Sequence, residues 1–270
     1  MSKELERFYC IIGIRRTFML IWHIMRKKLK LRNRNRTALI ASIFTQSAIF
    51  LIVFFSTAEV RADLKSANAA YKRGDYIFAF FEFRKLADRG NPKAQCMLAN
   101  MYESGLGVVR DYTEAFKWYL SAAMKGDPIA QFMVAQMYYE GKGGPKDHRE
   151  AAKWYRKAAE KGHIHAQNNM GVLYEYGRGV GESKPEALKW YLRAAEHGVA
   201  EAQYKAGVFY AGGIGVSQDL VRGYAWLDAA ARNGNSEADR LRDSVAGKMN
   251  EAELSRAKEL AGKVERKASK

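Results

Sequence analysis

Cysteine is almost missing from this chain: its 270 residues hold two, Cys10 and Cys96. That count rules out a disulfide framework built within one chain from several bridges, and it rules out cysteine-cluster zinc sites. Proline is scarce as well, at 4 residues, and 23 glycines are too few for a collagen-like or Pro/Gly-rich disordered chain. Five histidines are present. His163 and His165 stand two apart, so they do not share a helix face as metal ligands at i, i+4 would. His148 and His197 are isolated in sequence. Acid is in deficit, with 29 Asp and Glu against 45 Lys and Arg. The resulting net charge of +16 is unevenly placed. Residues 1–62 carry 12 basic and 3 acidic residues, and the remainder carries 33 and 26. Beyond position 62 no basic run is interleaved with aromatics, which argues against nucleic-acid binding.

What is present begins with an export pattern. The stretch 25–36, MRKKLKLRNRNR, is basic without an acid, and 37–58 has no charge. Val60-Arg61-Ala62 then fits the small-residue rule for a cleavage point, with Ser56-Thr57-Ala58 a nearby rival. The order is that of a secretory signal, and cleavage after Ala62 would leave a mature chain starting at Asp63. The uncharged run is also long enough to span a bilayer, so an uncleaved anchor is the alternative. Either way the basic flank stays inside and the rest of the chain lies outside the cytoplasm. Residues 1–24 fit the signal poorly, and translation is expected to start at Met25. Segment 1–36 is thus a basic N-terminal piece, and 37–62 is the hydrophobic and cleavage region.

Beyond it the chain repeats with a period of 36 residues. Trp118, Trp154, Trp190 and Trp226 keep that step, as do Tyr102, Tyr138, Tyr174 and Tyr210. So do Gly90, Gly126, Gly162, Gly198 and Gly234, and Ala94, Ala130, Ala166, Ala202 and Ala238. Each unit reads as two helices. The first opens at Asn91-Pro92 or Asp127-Pro128, an N-cap followed by proline in the first turn. It closes at a Gly-x-Gly loop such as Gly105/Gly107 or Gly141/Gly143. The second opens with Asp111-x-x-Glu114, Asp147-x-x-Glu150 or Ser183-x-x-Glu186, which match a capping box. The Gly-x-Gly loops are turn chemistry and not phosphate cradles, because no strand precedes them and no Lys-Ser/Thr follows.

The organisation predicted is an N-terminal capping half-repeat at 63–90, four repeats over 91–234, C-terminal capping helices over 235–266 and a tail at 267–270. Asn250-x-x-Glu253 caps the last helix. Ser255-x-x-Lys258 matches the penicillin-binding serine motif by letters alone, with no Lys-Thr-Gly or Ser-Asp-Asn partner. No catalytic, metal or cofactor site is assigned, and the chain is read as a non-enzyme.

The pattern Ala-x-x-x-Leu-Ala/Gly-x-x-Tyr, then Gly-x-Gly, then Ala-x-x-Trp-Tyr and Ala-Ala resembles the Sel1-like repeat, a subclass of the tetratricopeptide superfamily. The resemblance implies an all-α, right-handed solenoid of helical hairpins that binds other proteins without bond chemistry. It implies a protein scaffold in the bacterial cell envelope. Exported relatives also include periplasmic regulators that act on a membrane sensor kinase controlling exopolysaccharide, which is the alternative. A β-lactam-hydrolysing enzyme is a distant one, weakened by the lack of the paired cysteines that such relatives carry.

In the superfamily, partners lie in a concave groove lined by first helices. Carried over by register from Ala99, Ala135, Gly171 and Gly207, the groove positions are Lys93, Cys96, Asn100 and Glu103 in the first repeat. They are Ile129, Phe132, Gln136 and Tyr139 in the second, His165, Asn168, Val172 and Glu175 in the third, and Glu201, Tyr204 and Val208 in the fourth. Phe132, Tyr139 and Tyr204 are expected to be exposed anchors.

Overall fold

The computed structural model describes residues 63–268. The signal, the anchor and the Met25 start lie outside them. The described residues form twelve helices and no strand. Helices α1 (Leu64–Lys72) and α2 (Tyr76–Asp88) make a first hairpin, so the N-terminal cap is a complete helix pair with a shortened first helix. Four further hairpins follow: α3 (Pro92–Ser104) with α4 (Tyr112–Met124), α5 (Pro128–Glu140) with α6 (His148–Glu160), α7 (Ile164–Tyr176) with α8 (Lys184–Ala195), and α9 (Ala200–Gly212) with α10 (Leu220–Arg232). Helices α11 (Ser236–Ala246) and α12 (Glu251–Ala268) both pack on α10 and close that end. Along the stack each helix packs chiefly on its neighbours in sequence, as a quasi-one-dimensional solenoid requires.

Local chemistry explains the punctuation. Asn91 Oδ1 accepts the Ala94 amide at 3.1 Å and Asp127 Oδ1 the Ala130 amide at 2.9 Å, each with proline in the first turn. The first glycine of each Gly-x-Gly ends its helix left-handed, at φ 71°, 77°, 64° and 69° in the four repeats. The second glycine answers a close approach. A Cβ on Gly143 would lie 2.3 Å from the Tyr112 carbonyl oxygen, and one on Gly179 would lie 1.9 Å from that of His148. Each loop therefore lies directly on the start of the preceding hairpin's second helix, where only a bare backbone fits.

The capping boxes expected at the second helices are half formed. Asp111 accepts from the Thr113 and Glu114 amides, but its own N–H donates to the Tyr102 carbonyl at 2.9 Å. Asp147 and Ser183 repeat this with Tyr138 and Tyr174. With the backbone donor taken, Glu114, Glu150 and Glu186 turn outward and pair with Lys117, Lys153 and Lys189 at 2.5–2.6 Å. The complete box is at Asn250, whose N–H donates to Glu253 Oε2 at 3.0 Å while Glu253 N–H donates back at 2.9 Å.

In the core, the alanines at 94, 130, 166, 202 and 238 are fully buried. Tyr119 and Tyr191 are buried just as deeply, beside half-buried Trp118 and Trp154. A further series at the same step joins successive repeats. Gln95, Gln131, Gln167 and Gln203 are all buried, and each Nε2 donates to a carbonyl in the last turn of the preceding second helix. The acceptors are Ala87, Ala123, Ala159 and Ala195, at 3.1–3.2 Å.

Candidate functional site: the first-helix face

The register positions form four rows along α3, α5, α7 and α9. Lys93, Ile129, His165 and Glu201, one helical turn or less from the caps, are all exposed. Ile129 shows 55% of its surface although it is a large apolar residue. Cys96, Phe132, Asn168 and Tyr204 form a half-buried second row, and Asn100, Gln136, Val172 and Val208 a third. Glu103, Tyr139 and Glu175 make the last, also half-buried. The rows exist because 36 residues return each helix to the same azimuth. Ala99, Ala135, Gly171 and Gly207 meanwhile face inward; a Cβ on Gly171 would meet the Tyr191 ring at 2.6 Å.

The three aromatics expected to stand exposed are half-buried instead, and at least two are seated by neighbouring repeats. Phe132 stacks on His163 of the next unit, ring centroids 4.4 Å apart, and tilts against Tyr155 at 5.7 Å. The Tyr139 hydroxyl accepts from Arg178 Nη1, and its ring lies 4.7 Å from His148. Tyr204 is close enough to Glu237 of α11 for that carboxylate, after burial, to raise its hydroxyl pKa. Each ring is thus packed on one side while part of the residue stays accessible.

Two acids of the last row serve the hairpin. Glu103 accepts from the Tyr119 hydroxyl at 3.0 Å. Glu175 accepts from the Tyr191 hydroxyl at 2.5 Å and from Lys205 Nζ at 3.1 Å. Burial first, and then these carboxylates, push both tyrosine hydroxyls far above their ordinary range. Burial opposes the charge on Lys205, but Glu175 outweighs it and raises the ammonium's pKa. Asn100 Oδ1 accepts from Tyr71 of α1 at 3.2 Å, and Gln136 Nε2 donates to Glu140 at 2.9 Å.

His163 is the N-cap of α7, its Nδ1 accepting the Ala166 amide at 3.2 Å. Burial, and secondarily His165, lowers its pKa. The Cys96 thiol is pushed up to about 12 by burial and then by Asp127, so it stays protonated and a poor nucleophile. Among the described residues no group of three or more His, Cys, Asp or Glu is placed to hold a metal. Ser255 and Lys258 stand exposed on α12.

Sequence reasoning missed the cationic-aromatic patch around the C-terminal end of α7. Tyr176, 52% exposed, has Arg178, Lys184 and Lys205 within 5.3–5.8 Å of its ring. Its signal is a break in the repeat, since Ser104, Glu140 and Gly212 occupy the same register.

Stacked helical hairpins with invariant seams and a varied first-helix face define a right-handed α-solenoid of the kind that engages other proteins. A family model described as the Sel1 repeat matches at residues 92–127, 128–163, 164–199 and 200–235. The chain belongs to the Sel1 repeat family. It is similar to a Sel1 repeat protein from Oxalobacter formigenes, at 36% identity and TM-score 0.63, over 77% of this chain and 84% of that one. It also matches a protective antigen with an SLR fold from uropathogenic Escherichia coli at 26% identity and TM-score 0.44, over 79% of this chain and 63% of the other. No curated protein matches it. Proteins of this fold generally mediate protein–protein interaction and are typically non-enzymatic.

Proposed function

We propose that this chain is an exported scaffold that holds a protein partner against its first-helix face in the bacterial cell envelope. The observation that carries the reading is the division of labour within the repeat. Alanine, glycine and glutamine seams recur at every step. The exposed row changes from Lys93 to Ile129 to His165 to Glu201. A solenoid that only had to fold could keep one soluble residue there. A cation, an apolar side chain, an imidazole and a carboxylate in sequence make a surface that distinguishes partners. Phe132 and Tyr139, seated by their neighbours, and half-buried Tyr204 add contact area at low entropy cost.

Export is supported by the basic, uncharged and small-residue order of residues 25–62. Fractionation of cells followed by intact-mass measurement tests it. A chain starting near Asp63 in the periplasm or medium is expected. A membrane-bound chain retaining residues 37–62 would mean an anchored scaffold. A cytoplasmic, unprocessed chain would refute the envelope role. For the face itself, a photo-crosslinker at His165 should trap one discrete protein, and Ile129→Asp should abolish that adduct. A crosslinker at Thr113, on a second helix, should trap none.

A further inference from the structure

The first hairpin breaks the repeat on the outer face of its second helix. In the next three units the outer face of the second helix carries an ion pair at i, i+3: Glu114–Lys117, Glu150–Lys153 and Glu186–Lys189. In α2 those two positions are Phe78 and Phe81. Ile77 stands beside them, where the later units have Thr113, Arg149 and Pro185. All three are exposed, Ile77 at 64%, Phe78 at 44% and Phe81 at 58%. Burial elsewhere in α2 is ordinary, with Ala79, Phe80, Phe83 and Leu86 packed inward. The apolar stripe is therefore additional to what the solenoid needs.

We infer that this face of α2 rests on the surface of an anionic lipid bilayer. The charge of the same hairpin supports that occupant. The four acids of residues 63–90 are all engaged: Asp63 and Asp75 cap α1 and α2, Glu82 bonds Lys85 at 2.8 Å, and Asp88 pairs with Arg84 at 3.4 Å. Exposed Lys65, Lys72, Arg73 and Arg89 lie outside those two pairs and match anionic headgroups. Chain length supports it in the anchored alternative: five residues separate Ala58, the end of the uncharged run, from Leu64, so an uncleaved run would hold this hairpin within about 20 Å of the membrane. No described helix is long and apolar enough to cross a membrane. The contact is interfacial, with aromatic rings at the headgroup level and basic groups around them.

The inference rests on the envelope reading above, and the two fail separately. The probe is the processed chain from Asp63, bearing an environment-sensitive dye at Phe81→Cys, on vesicles of phosphatidylethanolamine and phosphatidylglycerol. Emission at that site should shift to the blue and be quenched by lipid-borne nitroxide. The same dye at Lys117→Cys, one repeat along, should do neither. Adding Ile77→Thr and Phe78→Glu, which copy Thr113 and Glu114, should remove the quenching and leave helical circular dichroism unchanged. An unquenched Phe81 site overturns the inference. So does a blue shift that nitroxide does not quench, which would assign the face to a protein or a second copy. Quenching in a chain that fractionation finds cytoplasmic would sustain the lipid contact and defeat the envelope reading instead.

Discussion

Exchanging the buried glutamines for methionine, one at a time, separates two effects that the fold places on the same seam. Gln203 is bonded at both ends: its Nε2 donates to the Ala195 carbonyl at 3.1 Å, and its Oε1 accepts from Asn233 Nδ2 at 2.8 Å. Gln131 makes the same donor bond, to Ala123, but its buried Oε1 has no partner among the described residues. Methionine has nearly the shape of glutamine and opens little cavity. Gln203→Met removes two bonds at about 1 kcal/mol each, so it should cost about 2 kcal/mol. Gln131→Met removes one bond, about 1 kcal/mol, and also relieves a buried acceptor whose desolvation costs about 1–3 kcal/mol. Its net effect should lie near zero or slightly on the stabilising side. At about 2–4 °C per kcal/mol for a unit of this size, the two variants should melt roughly 4–8 °C apart. Thermal melts and urea titrations followed by circular dichroism measure this. Equal losses in the two variants would refute the reasoning, because they would show Gln131 Oε1 to be as well satisfied as Gln203 Oε1.

Gly179→Ala should destabilise by roughly 3 kcal/mol or more, since it combines a left-handed φ with a clash into the His148 carbonyl, whereas Gly181→Ala, which meets nothing within 4 Å, should be neutral in the same melts. His163 must be neutral to accept the Ala166 amide, and its folded pKa is lowered, so the unfolded chain takes up the proton at the higher pH. Stability should be full above about pH 6.5 and fall as pH drops below it, and His163→Asn, copying the Asn91 cap, should flatten that dependence in melts from pH 7.5 to 5. Trp190→Ala should cost about 3–5 kcal/mol because the ring is 6% exposed, and Trp154→Ala should cost less because its ring is half-buried under Lys157. Urea midpoints compare the two, and the reverse order would contradict the packing described.

The period carried most of the fold. Asn91, Asp127 and the first glycine of each loop act within one or two turns of the chain, and the Ala and Trp series return at a fixed step, so letters suffice to read them. The glutamines kept the same step and went unread, because glutamine usually faces water and its acceptor, such as the Ala87 carbonyl, belongs to the preceding hairpin. The capping boxes misled for a related reason. The pattern at Asp111 and Glu114 is local, but the Tyr102 carbonyl that takes the donor stands nine residues back. On the candidate face, register gave the rows along the first helices. It could not show that Phe132 is stacked by His163, or that Glu175 is held by Tyr191 and Lys205, since those contacts cross between helices. The exposed stripe on α2 was visible only as a departure from the Glu–Lys pairs of later units.

The central claim is that the first-helix face, and not the outer face, holds the protein partner. Its most direct test is the affinity of the partner trapped from His165 for two variants of equal fold stability. Ile129→Asp with His165→Asp alters the first-helix face, and Lys117→Glu with Lys153→Glu alters the second-helix face. The account predicts at least a tenfold loss for the first variant, equivalent to about 1.4 kcal/mol, and little change for the second. Unchanged binding by the first variant with a loss in the second would contradict it.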